Sequence, residues 1–118
     1  MSDTLPTREA RNRFRSIMTI VNTFRDLDTE MPMQQAMVFL WVAMNEGKTQ
    51  RDMRGTLDIP SSTASRNLAA LSDFHRLGKP GLGLVVFVDH PEDRRSKLLY
   101  LSKKGRDVVQ TLYGSLPT

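Results

Sequence analysis

Cysteine is absent from this sequence. A disulfide framework, a thiolate zinc site, a cysteine nucleophile and a thiol redox sensor are excluded with it. Histidine occurs only twice. His75 and His90 stand far apart in loop-like stretches, and neither has the partners of a metal site or of a Ser-His-Asp order. The glycine-rich turn Gly78-Lys79-Pro80-Gly81-Leu82-Gly83 lies between a helix-like and a strand-like segment, the reverse of the order that cradles a nucleotide phosphate. Neither an enzyme nor a metal or other cofactor is expected. No apolar run approaches the roughly 18 residues of a membrane span, and the N-terminus lacks the apolar stretch of a signal peptide. The longest apolar run, Ala36 to Met44, has the length of a core helix. A cytoplasmic location without a membrane partner is expected.

What remains is the mixture of a soluble globular chain. The 118 residues are 39% apolar and 25% charged, which suits one domain and does not match the disordered profile. Seventeen Lys and Arg against thirteen Asp and Glu give a net charge of +4. The excess is unevenly placed. Residues 1–47 carry five basic and six acidic side chains, whereas residues 48–106 carry twelve basic and six acidic. A half-chain asymmetry of this kind suits a polyanion partner, although a solvated basic surface would produce it too. The seven methionines are read first as core fillers.

Periodicity supplies the elements. From Thr7 to residue 28, Phe14, Ile17, Met18, Val21 and Phe24 recur at helical spacing, while Arg8, Arg11 and Arg15 lie along another, solvated face. Pro32 suits the first turn of a second helix. There Met33, Ala36, Met37, Leu40, Trp41 and Met44 form the expected apolar stripe, widened by Val38, Phe39 and Val42. Asn45-Glu46-Gly47 ends it. Thr49-Gln50-Arg51-Asp52 has the form of a capping box opening a short helix with Met53 and Leu57 on its apolar edge. After the turn Asp58-Ile59-Pro60, Ser61 or Ser62 is expected to cap a helix running to about Phe74. Its buried side would be Ala64, Leu68 and Leu71, and its other side Ser62, Thr63, Ser65, Arg66 and Ala69. Two short helices joined by a tight turn make a helix-turn-helix plan. The period then changes to that of strands. Leu84–Val88 and Lys97–Leu101 bracket a charged tip, which predicts a hairpin. Ser102 can cap a last helix bearing Val108, Val109, Leu112, Tyr113 and Leu116. The expected fold is mainly α with a small β-hairpin: a single winged helix-turn-helix domain, 1–118, with flanking N- and C-terminal helices at 7–28 and 103–116, a core at 32–102 and a wing near 84–101.

The run Asp93-Arg94-Arg95-Ser96-Lys97-Leu98-Leu99-Tyr100-Leu101-Ser102-Lys103-Lys104-Gly105 resembles the D-x-R-x(5)-L-T-x-x-G signature of the MarR family of prokaryotic transcriptional regulators, with Ser102 in the usual Thr place. Pro60-Ser61-Ser62-Thr63-Ala64-Ser65-Arg66-Asn67-Leu68 is similar to the start of that family's recognition helix, and the resemblance covers roughly residues 33–112. Two departures are visible: His75–Gly81 looks like an insertion before the wing, and the chain stops at Thr118, short of the family's usual C-terminal helical pair. The resemblance implies a cytoplasmic protein of a prokaryote, or of its phage or plasmid, that binds duplex DNA as a homodimer, commonly as a repressor and often under a small-molecule effector.

DNA binding needs phosphate neutralisation for affinity and base-edge contacts for sequence choice. At the start of the 61–74 helix, Ser61, Ser62, Thr63 and Ser65 can hydrogen-bond to phosphates or bases, and Arg66 can fork onto guanine in the major groove. The bland readings are capping for the serines and an ion pair with Asp73 or a neighbour for Arg66. Arg94 and Arg95 at the 89–97 wing, with Lys97 at its base, suit a minor groove. Asp93 would shape the wing, and the bland alternative is that an Asp93–Arg95 pair does no more than hold the loop. Thr49, Gln50 and Arg51 could bind backbone phosphate. Phe14, Ile17, Met18 and Val21, with Val109, Leu112, Tyr113 and Leu116, are expected to form the dimer interface, or else to cover one another within a subunit. The rival function is a winged helix serving as a protein-interaction or replication and phage-control adaptor, without sequence-specific readout.

Overall fold

The computed structural model describes residues 4–73 and 80–117. It contains α1 (Arg8–Leu27), α2 (Met33–Met44), α3 (Gln50–Leu57), α4 (Ser61–Leu71), β1 (Val85–Asp89), β2 (Lys97–Leu101) and α5 (Lys103–Gly114). The chain divides into two compact units, one of Met1–Met31 with Val108–Thr118 and one of Pro32–Asp107.

The unit Pro32–Asp107 is a mainly helical winged helix-turn-helix. Its core takes Val38, Phe39, Trp41 and Val42 from α2, Met53 from α3, Ala64, Leu68 and Leu71 from α4, and Leu84, Val85, Leu99 and Leu101 from the hairpin region. The face of α2 differs from the periodicity reading. Met33 and Met44 are 86% and 76% exposed, Met37 and Leu40 are also exposed, and Gln35 is buried instead. Of the expected stripe, Trp41 alone is buried, and the residues thought merely to widen it form the centre. A helix apolar nearly all round carries no moment strong enough to choose a face, so its packing against α3, α4 and β2 decides.

Local chemistry sets the ends of α3. Thr49 Oγ1 accepts from the Asp52 amide at 3.2 Å, and the Asp52 carboxylate accepts from the Thr49 amide at 3.1 Å, which completes the capping box. These bonds from Thr49, backbone first and side chain second, hold the Asp52 carboxyl below its ordinary value. Asp58 closes the helix in the left-handed region at φ 54°.

The start of α4 is not capped as the serines suggest. Pro60 occupies the N-cap with no side-chain cap bond, and its carbonyl accepts from the Ala64 amide at 2.9 Å. With proline in that place, Ser61 and Ser62 fall inside the helix rather than before it. The helix also ends earlier, at Leu71, while Phe74 and the rest of residues 74–79, with His75 and most of the supposed insertion, lie outside the described residues. Long-range bonds explain that end. The amides of Gly81, Leu82, Gly83 and Leu84 donate to the carbonyls of Asp73, Ala70, Ser72 and Leu71. The returning chain thereby satisfies the carbonyls that a helix terminus leaves open.

The hairpin pairs antiparallel in the register Val85↔Leu101, Phe87↔Leu99 and Asp89↔Lys97. A bridge Thr49↔Leu98 and the bonds Gly47 N to Leu99 O and Leu99 N to Lys48 O, both 2.8 Å, tie β2 to the segment before α3. The wing is therefore anchored to the helix-turn-helix by backbone bonds. Ser102 opens α5, accepting at Oγ from the Gly105 amide at 3.0 Å.

In the other unit, Thr7 caps α1 by accepting from Ala10 at 3.0 Å. Phe24 and Leu112 are buried, whereas Phe14, Ile17, Met18, Val21, Tyr113 and Leu116 are exposed. Val108 and Val109 are half-buried.

Candidate nucleic-acid interface

The winged unit joins three of the expected contact residues in one cleft. Gln50, Ser65 and Lys97 line a concavity of about 360 Å3 together with Leu68, Ala69, Ser72, Phe87 and Leu99. Its walls are the start of α3, one side of α4 and one face of the hairpin. Gln50 Nε2 donates to Ser65 Oγ at 3.1 Å, so the two helices of the turn are linked by a pair of polar side chains. The helix α4 and the base of the hairpin thus share one concave surface.

Around it, the expected residues divide by whether the fold already uses them. Thr49 is used: its hydroxyl donates to Asp52 Oδ2 at 3.0 Å as well as capping α3. Lys97 is ion-paired with Asp89, its register partner across the hairpin. Ser61 and Ser62 are exposed in the first turn of α4, Thr63 and Ser65 are half-buried, and Arg66 is exposed. Arg51, Arg66, Arg94 and Arg95 are all exposed and make neither an ion pair nor a side-chain hydrogen bond among the described residues. The pairing of Arg66 with Asp73, considered above, does not form. Four guanidinium groups are left free to meet an anion.

The wing tip is built by Asp93, but not through an arginine side chain. One carboxylate oxygen of Asp93 accepts from the Arg95 amide at 3.0 Å and the other from the Ser96 hydroxyl at 3.1 Å. The Ser96 amide returns to the Asp93 carbonyl at 3.1 Å, and His90 Nδ1 accepts from the Glu92 amide at 3.0 Å. The anticipated Asp93–Arg95 ion pair is replaced by this turn, because a short Asp side chain reaches a backbone amide two residues on at little entropic cost. The turn leaves both arginine side chains pointing free of Asp93.

One residue escaped the sequence reading. Arg54 is half-buried on α3, and its Nε is buried without a hydrogen-bond partner. The available signal was its position four residues after Gln50, on the same flank of the helix.

No family model matches the sequence, and no curated protein is similar enough in sequence to count as a relative. Solved structures do match. The transcriptional repressor CouR, bound to a 23-mer DNA duplex, is 28% identical, with 89% of this chain and 67% of that chain covered and a TM-score of 0.62. A MarR transcriptional regulator from Methanosarcina mazei Go1 is 18% identical, with 90% and 69% covered and a TM-score of 0.65. The PcaV transcriptional regulator from Streptomyces coelicolor, in complex with its natural ligand, is 22% identical, with 98% and 77% covered and a TM-score of 0.59. These are transcriptional regulators and not enzymes. The chain has the winged helix-turn-helix fold of the MarR-like regulators.

Proposed function

We propose that this protein is a sequence-specific, duplex-DNA-binding transcriptional repressor that acts as a homodimer. The observation that carries the reading is the likeness to CouR, which is bound to a DNA duplex, over 89% of this chain. The free guanidiniums of Arg51, Arg66, Arg94 and Arg95 agree with it. In this reading α4 enters the major groove, with Ser61, Ser62, Thr63 and Ser65 on phosphates or base edges and Arg66 on a guanine. The wing sets Arg94 and Arg95 at the minor groove, where they sense its width and potential. By likeness to PcaV with its natural ligand, the proposal includes control by a small-molecule effector.

A mobility-shift titration with the DNA upstream of the protein's own gene tests the reading. Tight, sequence-preferring binding that weakens steeply with salt is expected. Weak binding indifferent to sequence would replace the repressor by the adaptor reading. Within that assay, Arg66→Ala is expected to cost about 1–3 kcal/mol and to relax the preference at one base position per half-site. If the variant bound every site as the parent does, α4 would not be the reading helix.

The dimer rests on the exposed stripe of α1. Phe14, Ile17, Met18 and Val21 stand in solvent, as do Tyr113 and Leu116, and each large side chain left exposed forgoes roughly 1.5–3 kcal/mol of burial. A two-fold homodimer of this class reads a pseudo-palindromic site whose half-sites lie about 34–36 Å apart. Sedimentation at micromolar concentration is expected to give twice the chain mass, and Val21→Asp to give a folded monomer with weakened DNA binding. A monomeric parent that binds the site at full strength would remove the dimer from the proposal.

A further inference from the structure

Ser65 keeps a hydrogen that its own helix does not use. In α1 and α3 the hydroxyls of Thr19, Thr23 and Thr56 donate to the carbonyl four residues back. The Ser65 hydroxyl is turned to Gln50 of α3 instead. Its Oγ accepts from Gln50 Nε2 at 3.1 Å, and it makes no other bond among the described residues. A hydroxyl oxygen that accepts from an amide still has its own hydrogen to give. Gln50 thereby fixes Ser65 as a donor.

The surroundings of that donor are apolar. Ala69, one turn further along α4, and Phe87 of β1 line the same cleft. Ser65 and Ala69 are half-buried, and Phe87 is 42% exposed, so all three can still be touched. Residues four apart on a helix stand about 5–6 Å from each other. One side of α4 therefore offers a hydrogen-bond donor beside a methyl-lined surface. Among the major-groove edges, thymine alone sets an acceptor, O4, beside a methyl group. Guanine would bring a second acceptor, and adenine an amino group, against the apolar wall and leave it unpaired. Cytosine presents a donor, which a donor cannot meet.

We propose that Ser65 and Ala69 read a thymine in each half-site, Ser65 donating to O4 and Ala69 meeting the methyl group. Gln50 is the positioning residue that keeps the Ser65 hydroxyl a donor. The inference deepens the sequence-specific DNA-binding reading above and rests on it. Arg66 keeps the guanine assigned to it there.

The test begins with the full chain selecting its preferred site from a pool of randomised duplexes. Each thymine of that site is then replaced in turn by deoxyuridine, which keeps O4 and lacks the methyl. One thymine per half-site is expected at which this weakens binding about four-fold, the worth of one buried methyl. At that position Ser65→Ala should cut the preference for thymine over cytosine about five-fold and leave the other positions as they were. Gln50→Glu is nearly isosteric, but its carboxylate can only accept, so it takes the Ser65 hydrogen. The same preference should fall at the same position, beyond whatever the added charge costs on every duplex alike. A packing role for Gln50 would leave that ratio unchanged and overturns its positioning role. Thymine preference intact in Ser65→Ala, or another base selected where Ser65 acts, overturns the proposal. Thermal melting checks that each variant is folded. Where a variant is not, the deoxyuridine series on the parent decides, since it alters the DNA alone. A parent that selects a site but is indifferent to every thymine methyl refutes only this inference. A parent that selects no sequence refutes the sequence-specific reading and this inference with it.

Discussion

Phe39→Ala is expected to destabilise the unit Pro32–Asp107 by about 3–5 kcal/mol, measured by urea denaturation. Phe39 is fully buried in α2, the helix that packs against α3, α4 and β2. Its loss removes aromatic surface from the core and leaves a cavity that three neighbouring elements hold open. Domains of this size have only about 5–15 kcal/mol in hand, so much of the variant's stability would be gone. DNA binding should fall with the folded fraction, since α4 and the wing are held to the same core. Met44→Ala is the contrast. Met44 belongs to the same helix but is exposed, and its truncation should stay within about 0.5 kcal/mol. Equal costs at the two positions would mean that α2 buries the methionine face after all.

Gly105→Ala is the second large effect. A Cβ at Gly105 would stand 2.1 Å from the Leu84 carbonyl oxygen and 3.1 Å from its carbon, both backbone atoms. Neither can swing aside as a side chain would. The start of α5 would have to move away from Leu84, whose carbonyl accepts from the Ser102 amide at 2.9 Å. Overpacking of this kind costs about 1–3 kcal/mol, and weakening that hydrogen bond adds about 1 kcal/mol. A fall in the urea midpoint of that size at unchanged slope is the expected result. Gly55, on the exposed side of α3, has nothing within 4 Å of its added Cβ, so Gly55→Ala should stabilise by about 0.5–1 kcal/mol. A Gly105→Ala variant as stable as the parent would show that the α5–Leu84 approach is looser than these distances require.

Gly105 also shows how far the sequence carries. It was visible as the last residue of a family-like signature, but the reason for glycine there is the carbonyl of Leu84, distant in sequence. The candidate interface divides in the same way. Arg66, Arg94 and Arg95 could be proposed from the sequence because they follow a helix-turn-helix pattern and a charged hairpin tip. Their lack of partners could not, because it depends on where Asp73 and Asp93 come to lie. Arg54 was passed over for a related reason. A mid-helix arginine looks like solvated surface until burial of its Nε is known.

What the sequence determined by itself is what neighbours along the chain decide. The capping box of Thr49 and Asp52, the Ser102 cap, the close of α2 near Gly47 and the two strand runs each depend on groups a few residues apart. Backbone preference and short-range hydrogen bonds were enough to place them. The tertiary structure decided the rest. It chose the Val38–Phe39–Val42 side of an all-round apolar α2, because periodicity is silent when both faces are greasy. It ended α4 at Leu71, because the amides of residues 81–84 return to take its last carbonyls. It paired the Lys97 charge with Asp89 across the hairpin, and it left Arg66 and the wing arginines open to an anion. Those outcomes depend on groups brought together from distant positions, and only the folded chain brings them together.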